Sequence, residues 1–180
     1  MSAPSDLAPH PLHVSLCPGL DALRSGSNSG EITTETPFAE GVILRADPAL
    51  RIGGTWRSPA GRMLELEATP AAPGGWLGLH VTLGPLDLAR VGCIGFTCRS
   101  CAPEQAMIRA ALRSGTDEGF VDSFFPAHIL ATPEAETQVD VLEPGFAGDI
   151  PDRAPWRELV LFLPKGGVTW HLHDLRLFLA

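Results

Sequence analysis

Between Met63 and Thr69 the chain alternates with a period of two: Leu64 and Leu66 point one way, Glu65 and Glu67 the other. From Trp76 to Gly84 it alternates again, with Leu77, Leu79, Val81 and Leu83 on one face and Trp76, Gly78, His80 and Thr82 on the other. A period of two is the signature of a strand buried on one side only. Further runs have the same texture. They are Gly41 to Arg45, Val91 to Arg99, Ala106 to Arg113, Phe120 to Leu130, Gln138 to Leu142, Trp156 to Leu163 and Val168 to Leu179. Pro126 interrupts the fourth of these and predicts a bend or bulge there. In the last run Val168, Trp170 and Leu172 share a face, then the phase slips at Asp174 and Leu175, Leu177 and Leu179 take over, which again predicts a bulge. Pro103 to Leu112 has a helix-like start and fits either state, but its neighbours favour a strand. Eight to ten short strands without strand–helix units predict an all-β, two-sheet antiparallel sandwich of jelly-roll type.

Punctuation supports this reading. The 180 residues include 19 Gly and 17 Pro, spread along the chain as turn signals. A chain of this length suits one domain. Residues 1–37 are rich in Pro, Ser, Gly and Thr and are expected to form an extended arm or linker, with His13 to Cys17 a candidate edge strand and a helical turn near Leu20 to Arg24. Residues 38–180 are then the sandwich. Trp156 and Trp170 are expected in the core; Trp56, between Gly53-Gly54 and Pro59, is read as a loop residue.

The formal charge is −8, and Lys165 is the only lysine. An acidic chain without a basic run disfavours nucleic-acid and anionic membrane partners. No apolar stretch approaches the roughly 20 residues that span a bilayer. The N-terminus has neither a basic nor an apolar signal region, so synthesis in the cytoplasm is expected, with release inside a larger particle left open.

Catalytic signatures are missing. There is no Ser-centred elbow, phosphate loop or dinucleotide fingerprint, so the reading leans away from an enzyme and expects no cofactor. Cys93, Cys98 and Cys101 have the spacing of a plant-type ferredoxin loop but lack its downstream fourth cysteine. Buried free thiols are favoured over a metal site or a disulfide. His171 and His173, two apart on a strand, project to one face and could hold a metal with Glu65, Glu67, His80 or Glu158, although no spacing is diagnostic.

The run Trp156 to Pro164, the Gly turn after it and the run Val168 to Phe178 resemble the two closing strands of galactose-binding-like jelly rolls and of sandwich-type carbohydrate-binding modules. Ile108 to Arg113 is similar to their central strand. The resemblance covers mainly residues 106–180 and implies the fold and, by family, a glycan ligand. Strand phase independently places Glu65, Glu67, Trp76, His80, Thr82, Arg109, Arg113, His171 and His173 opposite the apolar face. If their strands share one sheet, its outer surface combines an indole with polar groups, as saccharide sites do. The expected ligand-binding set is Trp76, His80, Arg109, Arg113, His171 and Glu65, in a non-catalytic carbohydrate-binding module. The alternative is a structural spike, fibre or decoration subunit of a phage-like particle or other assembly, forming oligomers through residues 1–37.

Overall fold

The computed structural model describes residues 16–180. Its elements run α1 (Pro18–Ser25), β1 (Asn28–Glu31), β2 (Glu35–Ala39), β3 (Val42–Ala46), β4 (Ile52–Ser58), β5 (Leu64–Pro70), β6 (Leu77–Gly84), β7 (Ile94–Cys101), β8 (Ala106–Thr116), β9 (Gly119–Ala131), β10 (Glu136–Leu142), β11 (Arg157–Phe162) and β12 (Val168–Leu179). They form two six-stranded antiparallel sheets. The first has the order β1-β4-β5-β12-β7-β10, and the second β2-β3-β6-β11-β8-β9. The all-β sandwich expected from the alternation is the observed fold, and the ambiguous Pro103 to Leu112 stretch enters strand β8.

The inner faces supply the core. Leu64, Leu66, Phe96, Cys98, Trp170 and Leu172 come from the first sheet, and Leu44, Leu77, Leu79, Ile108, Leu159 and Leu161 from the second; all are buried. Each large apolar side chain so buried contributes roughly 1.5–3 kcal/mol. Both expected irregularities are present. The β8–β9 register shifts between Arg109 and Ala111, opposite the Pro126 segment. The β12–β7 register shifts between Leu172 and Asp174, leaving His173 as the extra residue.

That second bulge coincides with a change of neighbour. β12 pairs with β5 only as far as Leu172. Beyond it, Leu175 N–H donates to Met63 Sδ at 3.1 Å, and α1 lies where β5 has ended. Arg24 of α1 donates to Asp174 Oδ1 at 2.9 Å and to the Leu175 carbonyl. Leu20 and Leu23 are buried in the common core. At Gly19 a Cβ would fall 1.9 Å from the Glu40 carbonyl oxygen, so only glycine permits this approach.

Three expectations need correction. Folded structure begins well before residue 38, because α1, β1 and β2 bury Leu20, Leu23 and Ile32; polar turn residues between short elements look like a linker in sequence. Residues 1–15, including most of the His13 to Cys17 candidate, lie outside the described residues. Trp56 is on β4 and buried, with its ring edge-on to Phe38 at 4.8 Å; Gly53 and Gly54 suggest a loop, yet both are paired with β5. Trp156 is only half-buried, whereas Trp170 is in the core as expected.

Arg157 ties down the loops beneath the sandwich. It is fully buried and donates to the Leu86 carbonyl at 3.0 Å, the Asp152 carbonyl at 3.1 Å, the Pro151 carbonyl and Ser114 Oγ. Arg157→Met removes these donors and leaves buried acceptors unpaired. We expect a loss of about 2–4 kcal/mol, seen in thermal unfolding as a fall in Tm of about 5–15 °C. Gly54 has φ +134° and a hypothetical Cβ only 1.9 Å from the Glu67 carbonyl oxygen. Gly54→Ala should cost about 3 kcal/mol or more in chemical denaturation, because strain and a backbone clash combine.

Candidate functional site

The structure divides the expected ligand-binding set between two surfaces. Trp76 and His80 precede and occupy β6, and Arg109 and Arg113 lie on β8, all on the outer face of the second sheet. Glu65 on β5 and His171 on β12 lie on the outer face of the first sheet, with Glu67 and His173. Alternation gives the parity of a side chain within its strand but carries no information about which sheet the strand joins. The single shared surface was therefore not a consequence of phase.

On the second sheet β11 sits between β6 and β8, and the registers align its outward residues into rows. Glu158 is opposite Thr82 and Arg113; Val160 is opposite His80 and Ala111; Phe162 is opposite Gly78 and Arg109. Arg113 and Asp122 form a two-pronged ion pair at 2.7 and 2.8 Å. The Arg113 guanidinium also lies 3.9 Å from the Phe120 ring centre, and that of Arg109 lies 4.0 Å from the Phe124 centre. Phe124 and Phe162 are tilted neighbours at 5.8 Å. One step beyond the paired ladder, the same registers bring Trp76, Pro164, Met107 and Leu130 into line. Trp76 is 40%, Met107 60% and Leu130 36% exposed.

His80 is central to this face yet only 1% exposed. Its Nδ1 is 2.8 Å from Glu158 Oε2, and Arg45 reaches Glu158 Oε1 at 3.5 Å. Burial opposes the Glu158 charge, but the hydrogen bond and charge of His80, with Arg45 and Arg113, hold its carboxyl below the usual value. The Glu158 carboxylate accepts the hydrogen bond from His80 Nδ1–H. Nε2 is buried and has no hydrogen-bond partner among the described residues. The Trp76 ring is edge-on to the imidazole at 6.2 Å. Gly78 beside it is buried, and a Cβ there would come 3.4 Å from Nε2 and 3.3 Å from Val160 Cγ1.

The first-sheet face has a different chemistry. Arg57, Glu65, His171 and Cys101 are successive cross-strand neighbours. Glu65 is ion-paired to Arg57 and Arg62. Burial opposes its ionisation, but these two hydrogen bonds, the Arg57 charge and that of His171 keep the carboxyl below its usual value. A groove of about 490 Å³ crosses this face, lined by Ser29, Thr55, Arg57, Glu67, Thr169 and His171 among others. His171 and His173 meet at Cys101, whose Sγ is 3.9 Å from His171 Nδ1 and 3.4 Å from His173 Nε2. The four cysteines are free thiols. Cys98 is in the core, and burial pushes its thiol up to about 12. Among the described residues no three His, Cys, Asp or Glu side chains are arranged to hold a metal ion.

Sequence reasoning missed Arg45, Phe120, Phe124 and Phe162 on one face and Arg57 and Arg62 on the other; Cys101, read as a buried free thiol, is free but only half-buried. Parity within β3, β9 and β11 was available for Arg45 and the phenylalanines. Arg57 was hidden once Trp56 had been read as a loop residue.

No protein-family profile matches the chain, and no curated protein matches it in sequence. Solved structures do resemble it. The CBM22-1 xylan-binding domain of Paenibacillus barcinonensis Xyn10C aligns with a TM-score of 0.54 at 11% identity, over 86% of this chain and 96% of that one. A structure described as "CBM4 structure and function" aligns with a TM-score of 0.52 at 12% identity, over 69% of this chain and 75% of that one. The resemblance of the closing strands to carbohydrate-binding sandwiches thus extends to the whole fold, and at this level of identity it establishes the fold alone.

Proposed function

We propose that the protein is a non-catalytic glycan-binding module that holds its ligand across the outer face of the second sheet. The observation that carries this reading is the unpartnered, buried Nε2 of His80 beside the exposed indole of Trp76. An unpaired buried polar atom costs about 1–3 kcal/mol, and a ligand hydroxyl reaching it beside Gly78 would supply the missing partner. The indole offers an apolar plane for the C–H face of a pyranose ring. Met107 and Leu130 continue that apolar strip, while Arg109 and Arg45 stand beside it to bond hydroxyls. Two of the three arginines on this face are ion-paired, Arg45 with Glu158 and Arg113 with Asp122, and the third, Arg109, lies over the Phe124 ring. A neutral saccharide suits such a surface better than a polyanion. The sandwiches of similar fold named above are carbohydrate-binding modules, which agrees with this reading.

The test is a glycan-array screen of neutral polysaccharides and oligosaccharides, xylan included, on the wild type and two variants. The wild type should bind one class of glycan selectively. Trp76→Ala should weaken that binding about ten-fold or more, with little change in Tm because the side chain is exposed. Gly78→Ala, which places a methyl group 3.4 Å from Nε2, should also weaken it. A wild type that binds nothing on the array, or a Trp76→Ala protein that binds as well as the wild type, refutes the proposal.

A further inference from the structure

A second cluster lies on the opposite sheet and is independent of the glycan surface. The β12–β7 register sets His171 directly across from Cys101, and the bulge at His173 adds a second imidazole on the same side. Cys101 Sγ is within 3.4 Å of His173 Nε2 and 3.9 Å of His171 Nδ1. The remaining cysteines have no comparable setting. Cys17 and Cys98 are buried, with thiols raised mainly by burial; Cys93 is half-buried just ahead of β7. Burial, followed by the charges of Arg62, Arg99 and His171, lowers the His173 imidazole from its usual value, against the opposing charge of Glu65. His173 is therefore an unprotonated base at neutral pH. His171 also lines the first-sheet groove, so the cluster adjoins an open approach.

We propose that Cys101 is a nucleophilic thiol that takes up small anionic disulfides, of the class of glutathione disulfide, with His173 as its base. In the step, the Sγ proton passes to His173 Nε2. The thiolate attacks one sulfur of the disulfide; a new S–S bond forms to Cys101 as the old one breaks. The departing thiolate takes the proton back from His173 and leaves as a free thiol. Arg62 and Arg99, the cations beside the imidazole, favour the carboxylates of such a reagent and the negative charge spread over the reacting sulfurs.

The experiment exposes the full-length protein to glutathione disulfide, and separately to iodoacetamide, at pH 7, and follows each cysteine by peptide mass mapping. Cys101 should be modified about ten-fold or more faster than Cys93 in the same molecule by both reagents, and His173→Asn should slow Cys101 about ten-fold or more while leaving Cys93 unchanged. The Cys93 rate reports whether the variant keeps its fold. Iodoacetamide is uncharged and reads the nucleophilicity of the thiol alone. Should Cys101 and Cys93 react equally in the wild type, or should Cys101 keep its rate in His173→Asn, the proposal fails.

Discussion

The sandwich depends on one strand keeping an apolar inner face after it loses a neighbour. β12 runs through the middle of the first sheet and touches β5 along its first half only. An uninterrupted strand would carry one parity to its end. With the extra residue His173, Leu172 and Leu175 both face the core, while Asp174 turns out to meet Arg24 of α1. The bulge thus closes the core, seats the helix and frees a backbone N–H that Met63 sulfur accepts. It also delivers a second imidazole to Cys101. A feature needed for packing has set the chemistry of the surface above it.

The two outer faces have diverged although both are built on the same alternation. The second sheet has small residues at Gly78 and Ala111, between which aromatic rings and guanidinium groups lie flat. Arg45 and Arg113 are ion-paired there, and His80 Nε2, buried and without a partner among the described residues, sits next to an exposed indole. Among the described residues the first sheet carries no exposed large aromatic side chain. Its central row is ionic and nucleophilic, with Glu65 held by two arginines and a thiol held between imidazoles. Burial of these carboxylates is tolerable because each has cationic partners in hydrogen-bonding contact. The aromatic face is suited to hold a sugar ring; the ionic face is suited to proton transfer.

The fold was legible because it is written in local pattern. Leu64/Leu66 and Leu77 to Leu83 report burial directly, and the slips at Pro126 and Asp174 report the bulges. Of residues 16–37, the helical turn expected near Leu20 to Arg24 lies within α1, but Asn28 to Glu31 has the composition of a linker and becomes ordered by pairing with β4 around Arg57, which is distant in sequence. The candidate site was half legible. Trp76, His80, Arg109 and Arg113 were correctly assigned an outward parity and do share a face. Glu65 and His171 have the same parity but belong to the other sheet, because sheet membership follows from long-range pairing that no local period encodes. Burial of the outward-facing His80 was equally invisible; it results from Val160, Ile43 and Trp76 closing around it.

The most direct test of the account is the response of individual side chains to a saccharide. Protein labelled with ¹⁵N would be titrated with soluble neutral oligosaccharides, xylo-oligosaccharides among them, while the four tryptophan indole signals and the His80 ring nitrogens are followed. The account predicts that the Trp76 indole and His80 Nε2 shift together while Trp56, Trp156 and Trp170 stay in place. If no saccharide moves Trp76, or if the shifts fall on Gly30, Thr55 and Thr169 of the opposite groove, the second-sheet face is not the glycan site.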